Sequence, residues 1–99
     1  MNIERGKVYE DLLTLLVKPP AKRAAEAAAL RAVFAQVSQC LNDQPLALET
    51  LEAYGEDAAN SHSDVPRLRG FLQGLYVSKS LSFEDYCEVD ALIVSAFNL

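Results

Sequence analysis

LSFEDYCEVDALIVSAF, residues 81–97, decides the fold class. Ser82 with Asp85 three positions on resembles a capping box, and Leu81 with Tyr86 can form the hydrophobic staple that fixes a helix entry. The stretch then runs to about Phe97 without Gly or Pro. Phe83, Tyr86, Cys87, Val94 and Phe97 share the expected apolar face, and Asp90 falls among them. A buried carboxylate without a partner is costly. Asp90 is therefore expected to pair with Arg31, Arg67 or Arg69, or to sit at the rim of the stripe, rather than to serve as a functional acid.

Working outward, the same logic covers the rest of the chain. Fourteen Ala and fifteen Leu against twelve Val, Ile and Thr favour helix over strand throughout. Val8, Leu12, Leu15 and Leu16 mark a first helix, which Lys18-Pro19-Pro20 stops. A second, about residues 20–41, carries a bulky stripe of Leu30, Val33, Phe34, Val37 and Leu41. Its other side is small and uncharged: Ala25, Ala28, Ala29 and Ala32. A helix apolar on two sides is expected to touch neighbours on two sides. Asn42-Asp43-Gln44-Pro45 reads as a turn with Asp43 as N-cap. A third helix, about 46–59, turns Ala47, Leu48, Leu51, Tyr54 and Ala58 inward. Asn60 to Asp64 reads as a loop, and a fourth helix near 65–78 has Pro66 in its first turn and Leu68, Leu72, Leu75 and Tyr76 on its core face. The expectation is all-α: a single compact bundle of about five short helices, one domain over residues 1–99.

Size and charge then bound the function. At 10.9 kDa, area scaling buries roughly 65% of the unfolded surface, enough for one core without staples. The net charge is −5 and unevenly spread. Residues 1–42 hold six Lys/Arg and four Asp/Glu, whereas residues 43–99 hold three and ten. An acidic half disfavours phosphate backbones as the main partner and suits a basic protein surface. The charged start lacks the apolar core of a signal peptide, and no apolar run approaches a membrane span, so a cytoplasmic chain is expected.

Chemistry is not indicated. His62 is the sole histidine, in a polar loop, and Cys40 and Cys87 fit no metal or disulfide spacing; two buried thiols are expected. Gly6, Gly55, Gly70 and Gly74 are scattered among helices rather than gathered in a phosphate loop. No catalytic residue, cofactor or metal is expected.

Two surfaces stand out instead. Glu49, Glu52 and Glu56 align on one exposed side, Asp57 lies beside them, and Glu84 and Glu88 repeat the spacing on the last helix. These rows are candidates for docking a basic partner protein, with plain solubility as the alternative. Gly70 and Gly74 lie one turn apart, each costing about 1 kcal/mol relative to Ala, which suggests that a neighbouring helix comes close. With Ala25, Ala28 and Ala32 they form a candidate helix-contact surface, inside the chain or in a homodimer. The reading is a small non-enzymatic protein-binding protein of the inhibitor, immunity or anti-defence, or adaptor type. The alternative is a dimeric transcriptional regulator that sets its basic N-terminal half on DNA, although the charge makes nucleic acid the weaker partner.

Overall fold

Proline placement and end caps set the helix boundaries. The computed structural model describes residues 20–99, with side chains from Arg23 onward. Helix α1 spans Pro20–Ser38 and tightens into a 3-10 turn at Gln39–Leu41. Helix α2 spans Pro45–Asn60, and a 3-10 turn at His62–Asp64 leads into α3, Val65–Val77. Helix α4 spans Phe83–Phe97. There is no strand among the described residues. The architecture is all-α, with four helices described rather than about five; the first expected helix, with Val8, Leu12, Leu15 and Leu16, lies outside the described residues.

Pro45 and Pro66 both sit in first turns, where a missing N–H breaks no intrahelical bond. Ser82 caps α4: its hydroxyl accepts from the Asp85 N–H at 3.1 Å. Asp43 does not cap α2. That position belongs to Gln44, whose side chain makes no cap bond and turns instead to the Ser80 hydroxyl, 3.2 Å away. At the other ends the backbone goes left-handed. Lys79 (φ 69°) lets the Ser80 N–H close on the Leu75 carbonyl, and Asn98 (φ 61°) lets the Leu99 N–H reach the Val94 carbonyl.

The four helices form a ring of neighbours, α1 on α2, α2 on α3, α3 on α4 and α4 back on α1. Val33, Val37 and Leu41 meet Leu51, Ala58, Leu68, Leu72, Val89 and Ile93 in one buried cluster. Each bulky side chain so removed from water contributes roughly 1.5–3 kcal/mol. The expected inward faces of α2 and α3 hold, except that Tyr76 lies at the edge, stacked on Tyr86 with centroids 5.3 Å apart.

Helix α4 is rotated from expectation. Its buried residues are Val89, Ile93 and Phe97, while Cys87 is exposed and Phe83 is 59% exposed. Asp90 consequently lies at the rim of the stripe, facing α3. Phe34 similarly leaves the core and is 38% exposed beside α2.

Candidate functional site

The seam between α1 and α2 carries an open hollow on its outer side. Small residues face each other there: Ala27 on α1 against Gly55 and Ala59 on α2. The result is an open hollow of about 580 Å³, flanked by Leu30 and Phe34 and edged by Arg31, Glu52 and Glu56. A helical glycine is costly, yet nothing lies within 4 Å of a Cβ placed on Gly55.

Two members of the acidic row, Glu52 and Glu56, border this hollow. Glu49, Glu52 and Glu56 are all exposed, and none makes an ion pair or a side-chain hydrogen bond among the described residues. Beyond its first turn, α2 thus presents a row of carboxylates to water. Glu84 and Glu88, on α4, are exposed too, but Glu88 is engaged. The Gln36 amide donates to Glu88 Oε2 at 2.7 Å and to Asp85 Oδ1 at 2.9 Å, tying α1 to α4. The two rows therefore differ: one is open, and the other is half used in holding helices together.

The small-residue surfaces face outward. Ala25, Ala28 and Ala32 are exposed; of that side only Ala29 is buried. Gly70 and Gly74 are exposed, and nothing lies within 4 Å of a Cβ built on either. Among the described residues no helix of the chain packs closely against these glycines. They sit on the side of α3 opposite Leu68, Leu72 and Leu75, continuous with Val77, which is 70% exposed.

Of the three bases named for Asp90, Arg69 is its partner. The guanidinium bond is forked: Nε to Oδ1 at 2.8 Å and Nη2 to Oδ2 at 3.1 Å. The hydrogen bond to Asp90 pushes the Arg69 pKa further up. Among the described residues this leaves Arg23, Arg31, Arg67 and Lys79 as bases without a salt bridge.

The reactive groups are dispersed into structural contacts. Cys40 Sγ lies 3.8 Å from Asp85 Oδ2, and burial first, then the Asp85 charge and hydrogen bond, push its thiol above the ordinary range. A raised thiol pKa disfavours the thiolate that nucleophilic chemistry needs. Cys87, expected buried, is exposed. His62 joins neither thiol: its Nε2 lies 3.1 Å from Glu26 Oε1, and its ring meets Phe97 edge-on at 5.3 Å. Glu26 is 4% exposed, and the placement of His62 in a polar loop did not foresee this contact. The signal was present, because Glu26 precedes Ala29, Val33 and Val37 on the stripe that α1 buries. Lys22, four residues before Glu26 and so a possible i, i+4 partner by sequence, lies outside the described side chains.

No helix among the described residues is long and apolar enough to cross a membrane. Comparison of the chain with protein-family models, curated proteins and solved structures finds no match.

Proposed function

We propose that the chain is a non-enzymatic protein-binding domain, of the inhibitor, immunity or adaptor type, that docks a Lys/Arg-bearing protein surface along α2. The observation that carries this reading is the open row Glu49, Glu52 and Glu56, exposed and without a cation among the described residues. Like charges one turn apart repel by a few tenths of a kcal/mol, a cost that a basic partner relieves. Such an encounter is steered by charge and weakens with salt.

Reversal of Glu49, Glu52 and Glu56 to Lys tests it. All three side chains point to water, so helicity and unfolding temperature should stay close to the parent values. Partners retrieved from the native host by the parent chain at low salt should be lost with the triple variant, and a purified partner should associate at least about tenfold more slowly. An unchanged association rate would reduce the row to a solubility device. Retention of duplex DNA with a steep salt dependence, indifferent to the reversal, would put the DNA-binding alternative in its place.

A further inference from the structure

We propose that the hollow between α1 and α2 seats an amphipathic helix of the partner, with bulky apolar side chains in the hollow and Lys or Arg against Glu52 and Glu56. This rests on the docking of a basic surface along α2 and says what that surface is.

The shape of the hollow favours a helix. Its lining runs from Ala27 to Phe34 on α1 and from Glu52 to Ala59 on α2, about 10 Å along each axis. Side chains one turn apart on an incoming helix stand about 5–6 Å from each other, so a trough of this length takes two in succession. Its walls are helices whose interior N–H and C=O groups are already paired. An occupant settling between them must bring its own backbone hydrogen bonds, as a helix does and an extended segment does not.

Charge and apolar surface occur together here. Leu30 and the 38% exposed Phe34 ring offer the apolar contact, and Glu52 and Glu56 stand one turn apart along the α2 edge. Arg31 lies on the α1 edge and repels a cation there, so the basic side of the occupant turns toward α2. Gly55 adds an independent sign. It is half-buried in the lining, its φ is not positive, and nothing lies within 4 Å of a Cβ placed on it. Neither the backbone conformation nor the chain's own packing calls for glycine, whose cost in a helix is about 1 kcal/mol relative to Ala. Close approach from outside does call for it.

A synthetic, end-blocked helix of about eighteen residues, with Leu at i, i+3, i+4 and i+7 and Lys on both flanks, is the probe. Added to the full chain, it should shift the amide signals of Leu30, Phe34, Gly55 and Ala59, and a twin with Glu in place of Lys should not. Gly55→Leu, which puts bulk into the hollow and leaves the acidic row intact, should weaken binding at least about tenfold. Phe34→Ala, outside the fully buried cluster, should weaken it in the same direction and serves as a second arm if Gly55→Leu does not fold. Binding lost on reversal of Glu49, Glu52 and Glu56 but unchanged by both hollow variants would overturn the seat and keep the docking row. Absence of binding, or binding indifferent to all these changes, would overturn the seat and count against the row as well. Nuclear Overhauser effects from the chain before Pro20 to the Phe34 ring in the peptide-free monomer would give the hollow to the chain itself. A dimer that Gly55→Leu dissociates would give it to a second copy, and either result overturns the proposal.

Discussion

The two seams at opposite sides of the ring, α3 with α4 and α1 with α2, close differently at their rims. Between α3 and α4 the inner positions are branched or aromatic. Leu68, Leu72, Val89 and Ile93 fill the interior, Tyr76 stacks on Tyr86, and the forked Arg69–Asp90 pair bridges the rim. Between α1 and α2 the interior is filled as well, by Val33, Val37 and Leu51, but the outer positions are Ala27, Gly55 and Ala59, and no ion pair among the described residues spans them. Side-chain volume at a few outer positions decides which seam is closed at its rim and which is left hollow.

Breaking the filled side should give the largest effect. Ile93 is fully buried, and Ile93→Ala should lower unfolding free energy by about 2–5 kcal/mol, read from urea denaturation. A loss below about 1 kcal/mol would mean that this seam relaxes as easily as a surface, and the contrast would disappear. The rim pair comes next. Arg69 and Asp90 side chains are 39% and 23% exposed, so solvent screens them, and Asp90→Asn should cost about 1 kcal/mol. Thermal unfolding within error of the parent would show the fork to be ornamental and the stacked tyrosines sufficient. The smallest effect sharpens the comparison from outside. Gly70→Ala and Gly74→Ala should each stabilise α3 by roughly 0.5–1 kcal/mol, because an added Cβ meets open space and the helix gains propensity. Loss of stability that grows with protein concentration would reveal a second copy packed on that face.

How much of this was legible depends on the range of the interaction. The start of α4 was readable because Ser82, Asp85, Leu81 and Tyr86 are local to one another. Its inward face was not. Phe83, Tyr86, Val89, Leu92, Ile93, Val94 and Phe97 surround most of the helix, so periodicity alone cannot choose an orientation. The packing of α1 and α3 chose Val89 and Ile93, and turned Asp90 to the rim. For the surfaces, the exposure of Glu49, Glu52 and Glu56 followed from spacing on one helix. The hollow beside them did not, since Ala27 and Ala59 come together only when two helices pair. His62 and Glu26, thirty-six residues apart, met through tertiary structure alone.

The two bonds made by the Gln36 amide carry a consequence for the order of events during synthesis. Asp85 and Glu88 lie 49 and 52 residues after Gln36, and the stripe of α1 waits for Val89 and Ile93 from the same distant helix. A nascent chain that has emerged only as far as α3 carries Val33 and Val37 with no α4 to cover them. Loop-closure entropy must be met before that contact forms, so the ring closes late, and translation has to deliver α4 before the side of α1 that faces it is covered. Until then the α4-facing side of α1 stays open to chaperones and to misassembly.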